Sequence, residues 1–299
     1  MKDAFKVIDE LRNNYLTLSD NEIKEYFASL PEFGVTEEVL TEVKGTFIVR
    51  GRVNCNGERF AHKKDISYKP AEQNKLYQRA SIPNKTMFYG TIGYDENGER
   101  NHRMSIGITL FESIKLIRDN RLMSSGEEVI TLGFWKIIKP LKCFTLAGAE
   151  NFHPKNIVLK NLYQKFILLI EEKNRQDLKL IYDFISDEFA KPINGNSFEY
   201  KVSANFAELI VEKGFDGVIY PSVMTDGENG YNIALTPDAA NNKLQLVYVE
   251  ERTVFKNKEK MITEIDYLTE EITDEKINLI PNRKKKDREE IINNLYFQK

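Results

Sequence analysis

Residues 215–235 read FDGVIYPSVMTDGENGYNIAL, and this stretch predicts two neighbouring strands of a buried sheet. The apolar run DGVIY is typical of a strand buried on both faces, and Pro221 ends its hydrogen-bond ladder because proline has no amide donor. Ser222 then lies at the end of the strand. Gly227 and Gly230 allow a close backbone approach or a positive φ before YNIAL begins the partner strand. The alternative is a hairpin with a long loop, whose serine only caps a turn.

Around this stretch, strand-like runs alternate with helical patterns. Between residue 46 and residue 255 the alternation predicts a mixed α+β domain. Four segments have helical periodicity: TLFESIKLIRD, KNLYQKFILLIEEK, DLKLIYDFISDEFA and YKVSANFAELIVEKG. The last of these ends at Gly214, a residue type that favours the left-handed conformation found after many helices.

The composition divides the chain into three regions. Residues 1–45 form a predicted N-terminal helical extension, in which Ser19 and Glu22 have capping-box spacing and Pro31 ends the helix. Residues 46–255 form the mixed α+β domain. Residues 256–299 are strongly charged, and we expect a solvated helix or a mobile tail there.

The charge and cysteine content narrow the classes of function. The 43 basic and 46 acidic side chains give a formal net charge of -3, so the chain lacks the positive field of a non-specific nucleic-acid binder. Cys55 and Cys143 lack CxxC spacing, which argues against disulfides and structural zinc and favours a reducing cytoplasm. The longest apolar run, FILLI, has five residues and is too short for a membrane span. His62, His102 and His153 lack metal-ligand spacing, so we expect no metal site.

Two arginines share one face of the predicted strand TFIVRGRV. A period of two places Arg50 and Arg52 on the same side. Such a pair is solvated, paired with carboxylates, or directed at an anion such as phosphate. From this pattern alone the solvated or ion-paired arrangement is favoured.

Three further residues lie at turns and element ends. Arg79 precedes a turn before the strand MFYG, and Tyr89 in that strand could stack on a planar ring, although a strand aromatic more often belongs to the core. Glu112 lies off the apolar stripe of TLFESIKLIRD, and the simplest interpretation is a surface glutamate in a first helical turn, where the macrodipole favours it. No GxSxG frame surrounds Ser222, which argues against a nucleophile-elbow hydrolase.

The order of these sequence motifs along the chain resembles that of the RES family, which is named for an arginine, a glutamate and a serine. The resemblance covers about 46–250 and rests on VRGR, RASIPNKTMFYG, FES and DGVIYPSV followed by NIAL. It implies a fold related to ADP-ribosyltransferases, with a mainly antiparallel sheet core and flanking helices. It also implies an enzyme that consumes NAD by cleaving the nicotinamide–ribose bond, as a bacterial toxin with an antitoxin or a related stress or defence protein.

The resemblance further implies roles for individual residues. Arg50, Tyr89 and Glu112 match the catalytic positions. The expected substrate contacts form a wider set: Arg50, Arg52, Arg79, Tyr89, Ser222 and Asn232. The chain departs from the family at Gln78, where many members have glycine, and in the longer stretch 121–200.

The chemistry of NAD agrees with this set. Its pyrophosphate, riboses and planar rings require guanidiniums, hydroxyl acceptors and an aromatic surface. Loss of nicotinamide develops positive charge at the ribose, which a carboxylate stabilises, and Glu112 is the candidate. Ser222 would hold the substrate by a hydrogen bond rather than act as a nucleophile. NAD is expected as the substrate and not as a resident cofactor, with inorganic phosphate as one candidate co-substrate.

Three functions stay open at this level. Transfer of the ribose to phosphate or water makes an NAD phosphorylase or glycohydrolase. Transfer to a protein side chain makes a protein ADP-ribosyltransferase. The same residues could also hold NAD or ADP-ribose without turnover, although a pure binder has no need of the Glu112 carboxylate. We expect no nucleic-acid or membrane partner, and an antitoxin protein would be the partner of a toxin.

Overall fold

The computed structural model describes residues 3–30, 37–40, 47–95, 97–118, 124–147, 156–170, 172, 175–191, 195–225, 230–258, 260–288 and 291. The helices in these ranges are α1 (Ala4–Asn14), α2 (Asp20–Ser29), α3 (His102–Ser113), α4 (Lys115–Arg118), α5 (Ile157–Leu169), α6 (Arg175–Ala190), α7 (Lys201–Glu212) and α8 (Pro237–Lys243). The strands are β1 (Glu37–Leu40), β2 (Ile48–Val53), β3 (Phe88–Gly93), β4 (Ser125–Ile137), β5 (Leu141–Thr145), β6 (Gly217–Pro221), β7 (Gly230–Leu235), β8 (Leu244–Asn257), β9 (Lys260–Ile272) and β10 (Ile277–Pro281).

The strands of the described residues form one 10-stranded sheet in the order β1-β5-β6-β7-β3-β2-β4-β8-β9-β10. Neighbouring strands are antiparallel except for β5 and β6, which are parallel. This confirms the predicted mixed α+β class with a mainly antiparallel sheet. Within the same residues, no helix has the length and apolar character needed to cross a membrane.

The stretch 215–235 forms the predicted pair of strands. β6 is buried along its whole length, and β7 pairs with it in antiparallel register, with Ile219 opposite Ile233. β6 ends at Pro221, as predicted. The Ser222 amide then donates to the Gly230 carbonyl at 3.4 Å. Gly227 lies outside the described residues.

Side chains alternate between the two faces of the sheet, and both faces are covered. One face carries Val218 and Tyr220, which pack with α1, α2, α6 and α7, and also Val49, which packs with α3. The opposite face carries Phe88 and Trp135, whose ring centroids are 5.1 Å apart. Because full burial of a large apolar side chain stabilises a fold by about 1.5–3 kcal/mol, these clusters fix the helices on the sheet.

Helix α3 crosses the sheet at close range because the strands beneath it carry glycine. A Cβ atom added at Gly93 would lie 2.3 Å from the Ser105 amide nitrogen, and one at Gly230 would lie 2.0 Å from the Ile108 side chain. The Gly93 amide also donates to Ser105 Oγ at 2.8 Å. A side chain at Gly93 would push the helix away from the sheet, and one at Gly230 would displace the Ile108 side chain. The glycines therefore fix the height of α3 above β3 and β7.

Two expectations about the ends of the chain need correction. The N-terminal extension contains the predicted helices, and Ser19 and Glu22 form the predicted capping box, but residues 37–40 form strand β1, which pairs with β5. In the charged C-terminal segment, residues 260–272 and 277–281 form β9 and β10 rather than a helix or a mobile tail. The reason is backbone pairing with the edge of β8, which stabilises strands despite their many charges.

Candidate active site

β2 and β3 are neighbours in the sheet, but they pair at a single position. Val49 lies opposite Thr91, whereas β2 pairs with β4, and β3 with β7, at six positions each. The strands separate beyond this pair, and a cavity of about 530 Å³ opens at the gap. This volume lies within the range of pockets that bind small organic ligands. Residues of β2, β3, α3 and β7 line the cavity together with loop residues.

Glu112 lines the cavity from the last turn of α3, and not from a first helical turn as predicted. The helix begins earlier than expected, at His102, where Asn101 caps it by accepting a hydrogen bond from the Arg103 amide. It ends at Ser113. Since the macrodipole disfavours a carboxylate at this end of a helix, helix stability does not explain the glutamate.

The Glu112 carboxylate is held by the side chain that follows β6 and by a side chain of β7. Its Oε1 atom accepts hydrogen bonds from Ser222 Oγ at 2.7 Å and from Asn232 Nδ2 at 2.8 Å. Ser222 is completely buried, so packing restricts its orientation. Glu112 Oε2 has no hydrogen-bond partner among the described residues. One carboxylate oxygen is thus fixed, and the other is free to contact a ligand.

Arg50 reaches the cavity across the gap between β2 and β3. Its Nη1 atom donates to the Tyr89 carbonyl at 2.7 Å, and its guanidinium lies 5.4 Å from the Phe88 ring centroid. Its Nε atom is buried without a hydrogen-bond partner among the described residues. Burial lowers the pKa of Arg50 to about 10, and nearby Arg52 acts in the same direction. A bound anion would offset this cost of burying the charge.

Arg79 lines the same cavity, but both of its Nη atoms already donate hydrogen bonds. The guanidinium donates to the Phe189 carbonyl, to the Lys191 carbonyl at 3.1 Å and to the Tyr200 hydroxyl at 3.3 Å. It also lies 4.7 Å from the centroid of the Tyr200 ring. The two carbonyls belong to the C-terminal end of α6, where helix carbonyls lack partners and a cation is favoured. Arg79 therefore joins the cavity wall to α6 and Tyr200.

Tyr89 faces the cavity, and its hydroxyl is tied to the preceding loop. The hydroxyl accepts a hydrogen bond from the Ala80 amide at 3.3 Å and lies 3.1 Å from Ser81 Oγ. Burial raises the pKa of Tyr89 to about 12, so the hydroxyl stays protonated near neutral pH. Tyr89 is therefore suited to contact a ligand through its ring rather than to transfer a proton.

Arg52 is absent from the cavity lining that the described residues form. Its Nη1 atom donates to the Asp65 carbonyl at 2.7 Å, and its Nη2 atom lies 3.3 Å from the Glu58 carboxylate. The guanidinium also lies 4.1 Å from the Phe60 ring centroid. The ion-paired alternative for the arginine strand thus describes Arg52, whereas Arg50 is the arginine that faces the cavity.

The cavity wall includes side chains that the sequence patterns did not single out. Tyr220 is buried beside the site, and burial raises its pKa well above the usual tyrosine value. Tyr200 precedes α7, and Arg118 ends α4. The alternation of β6 could have revealed Tyr220, because it places this residue on the same face as Ser222. Tyr200 and Arg118 carry no comparable local signal.

Metal ligands do not cluster within the described part of the chain: it holds no group of three or more His, Cys, Asp or Glu side chains arranged for a metal ion. His153 lies outside that part. Cys55 is exposed and Cys143 is buried. Comparisons with protein-family models, curated proteins and solved structures find no significant match. The function is therefore inferred from the cavity residues themselves.

Proposed function

We propose that this protein binds NAD in the cavity and cleaves the bond between nicotinamide and ribose. The main support is the placement of Glu112, which is held by Ser222 and Asn232 at a helix end that disfavours a carboxylate. Guanidiniums line the same cavity. This combination suits a substrate that carries phosphate groups and develops positive charge during the reaction. The RES resemblance selects Glu112, Ser222 and Asn232 as well.

The proposed reaction transfers the ribose from nicotinamide to an acceptor. The carbon–nitrogen bond breaks with its electron pair going to the pyridinium nitrogen, so nicotinamide leaves as a neutral molecule and needs no general acid. Positive charge grows on the ribose as the bond breaks. Glu112 Oε2 stabilises this charge or holds a ribose hydroxyl, while Ser222 and Asn232 keep the carboxylate oriented. No covalent bond between enzyme and ribose is required.

Arg50 and Tyr89 complete the proposed binding site. A phosphate oxygen would accept a charge-assisted hydrogen bond from the Arg50 guanidinium, which lines the cavity and, among the described residues, donates only through Nη1. The Tyr89 ring offers a surface for a planar ring of the substrate. Arg79 contributes positive charge and supports the wall, because carbonyl groups and a hydroxyl already engage its donors.

The acceptor of the ribose decides which enzyme this is. Inorganic phosphate as the acceptor makes an NAD phosphorylase, and water makes an NAD glycohydrolase. We propose one of these two activities for a cytoplasmic toxin of the RES type, or a related stress or defence protein, with an antitoxin as its protein partner. Transfer to a protein side chain and binding without turnover are the alternatives.

Incubation of the purified protein with NAD, with and without inorganic phosphate, tests the proposal. Nicotinamide with free ADP-ribose indicates a glycohydrolase, and nicotinamide with a phosphorylated ADP-ribose indicates a phosphorylase. A mass increase on a protein would indicate an ADP-ribosyltransferase. The Glu112→Gln variant, prepared in parallel, controls for a contaminating enzyme. If the wild-type protein binds ADP-ribose but leaves NAD intact, the proposed cleavage is wrong and a binding module remains.

A further inference from the structure

Arg118 differs from the other arginines that line the cavity. Arg50 and Arg79 both donate hydrogen bonds to carbonyl groups. The Arg118 guanidinium makes no hydrogen bond or ion pair with any described residue, although its backbone amide donates to the Ile114 carbonyl at 3.4 Å. The side chain is exposed at the end of α4 and lines the cavity. No described residue therefore competes with a ligand for its donors.

The residues that line the cavity carry an excess of positive charge, to which Arg118 contributes. Among the described lining residues, Arg50, Arg79 and Arg118 are opposed by a single carboxylate, Glu112, which leaves an excess of two positive charges. The chain as a whole has a formal net charge of -3. The positive charge is thus concentrated at the cavity, and a ligand with two negative charges would balance it.

The arginines also differ in the kind of contact that each can still make. Arg79 is engaged by α6 and Tyr200. Arg50 is half-buried and, among the described residues, donates only through Nη1, while its unpartnered Nε atom is buried. Arg118 can present its planar guanidinium, whose parallel N–H groups match two oxygens of a phosphate group. Because Arg118 is exposed, it suits the part of a ligand that lies nearest to solvent.

We propose that Arg118 is a substrate-binding residue that grips the pyrophosphate of the dinucleotide at the cavity entrance, an inference that rests on the proposed cleavage of NAD. Arg50 takes the phosphate nearer the nicotinamide ribose, and Arg118 takes the phosphate nearer adenosine. The pyrophosphate keeps its charge throughout the reaction, so Arg118 stabilises the bound substrate and the transition state alike. Its loss raises KM for NAD and leaves kcat unchanged.

Calorimetric titration of ADP-ribose into wild type, Arg118→Ala and Lys115→Ala tests this assignment. Lys115 is exposed on the same short helix but does not line the cavity within the described residues, so its variant removes an equal charge without removing the contact. We expect Arg118→Ala to weaken ADP-ribose binding about tenfold through loss of charge-assisted hydrogen bonds. Lys115→Ala should change it less than about twofold, since exposed charges are screened. The salt dependence of binding should become shallower in Arg118→Ala only.

Each outcome supports or contradicts the assignment of Arg118 as a substrate-binding residue. Equal ADP-ribose affinity in wild type and Arg118→Ala would overturn the assignment, and so would an equal loss in Lys115→Ala, which would indicate a general field effect. Weaker binding in Arg118→Ala supports it even if wild type leaves NAD intact, a result that overturns only the proposed cleavage. No ADP-ribose binding by folded wild-type protein contradicts both. Melting temperatures of the variants verify that each is folded.

Discussion

Ser222 and Glu112 are joined by a hydrogen bond of 2.7 Å although they lie 110 positions apart in the chain. The bond connects the residue that follows β6 to the last turn of α3. Asn232 on β7 donates to the same carboxylate oxygen at 2.8 Å. A residue that follows β6 and a residue of β7 therefore hold a carboxylate that belongs to a helix, and both hold it by the same oxygen.

Replacing Glu112 by glutamine should reduce nicotinamide release at saturating NAD about a hundredfold to a thousandfold, because the charge that opposes the developing cation is lost. KM should change much less, since this interaction is strongest in the transition state. The free energy of unfolding should stay within about 0.5 kcal/mol of wild type or rise slightly, because the carboxylate lies at the C-terminal end of α3. Steady-state kinetics and thermal unfolding measure these quantities.

Glu212→Gln is the matched control, because Glu212 is the last residue of α7 and does not line the cavity among the described residues. This variant should release nicotinamide at the wild-type rate. An unchanged rate in Glu112→Gln, or an equal fall in both variants, would contradict the role of Glu112.

Ser222→Ala should lower kcat about tenfold by removing one charge-assisted hydrogen bond to Glu112. In the Glu112→Gln background the same change should cost less than about twofold, because the two residues act as a unit. Ser29→Ala is the control, since it removes a hydrogen bond of equal length, 2.7 Å, on α2. Independent losses in the double variant would show that Ser222 does not act through Glu112.

Arg79→Ala should lower the free energy of unfolding by about 2–3 kcal/mol, because the carbonyls at the end of α6 lose a charged donor. Arg79→Lys should recover only part of this, since an ammonium cannot reproduce the planar fork. Arg12→Ala is the control. It removes an exposed arginine of α1 whose guanidinium lies 4.0 Å from the carboxylate of Asp187 on α6, and it should lower the free energy of unfolding by less than about 1 kcal/mol. Urea unfolding of the three variants measures the difference, and wild-type stability in Arg79→Ala would refute it.

Stability should fall at alkaline pH partly because of Tyr89. Burial raises the pKa of Tyr89 from 10.0 to about 12, so the unfolded chain releases this proton at lower pH than the folded protein. The contribution is therefore complete below pH 10 and is lost as the pH rises towards 12. Tyr89→Phe should make the decline in the free energy of unfolding less steep across this window. Chemical unfolding at several alkaline pH values measures the slope, and identical slopes would exclude the effect.

Gly93→Ala should destabilise the fold by about 1–3 kcal/mol through overpacking, because a Cβ atom there would lie 2.3 Å from backbone of α3. It should also lower NAD turnover, since the helix that carries Glu112 must move. Gly107→Ala is the control on α3 itself: no atom lies within 4 Å of the added Cβ atom. That change should stabilise the protein by about 0.5–1 kcal/mol through helix propensity and leave turnover intact. The opposite order of stabilities would contradict the close approach of α3.

Local sequence predicts those helices and strands whose ends are marked by a capping or terminating residue. β6 is recognisable because its apolar run ends at Pro221, and α2 because Ser19 and Glu22 cap it. Gly214 follows α7 with a φ of +86°, as expected for a residue that ends a helix.

Other elements escaped prediction because their local signals compete or because charged residues obscure the strand pattern. The first two turns of α3 contain Gly107 and β-branched residues, which weaken the helical pattern, although Asn101 offers a cap. β9 is stabilised by pairing with β8, including a hydrogen bond of 2.6 Å from Thr253 to Asp266. That partner lies only 13 positions away, but the many charged residues of β9 obscure the alternation that would indicate a strand.

The membership of the candidate site was predictable in part, since Arg52 does not line the cavity whereas Tyr200 and Arg118 do. Arg50, Glu112 and Asn232 do line one cavity, and Ser222 contacts Glu112 there; their role in cleaving NAD stays a prediction. That the donors of Arg79 go to α6 could not be predicted, because those carbonyls lie more than a hundred positions along the chain.

The single-position pairing of β2 with β3 divides the sheet into two plates, β1-β5-β6-β7-β3 and β2-β4-β8-β9-β10. Arg50 belongs to one plate and Asn232 to the other, while α3 packs over both strands at the seam. A dinucleotide that touched both residues would act as a cross-link between the plates. The stiffness of the molecule would then depend on occupancy, with backbone amides along the seam exchanging their hydrogens with solvent more slowly when the cavity is filled.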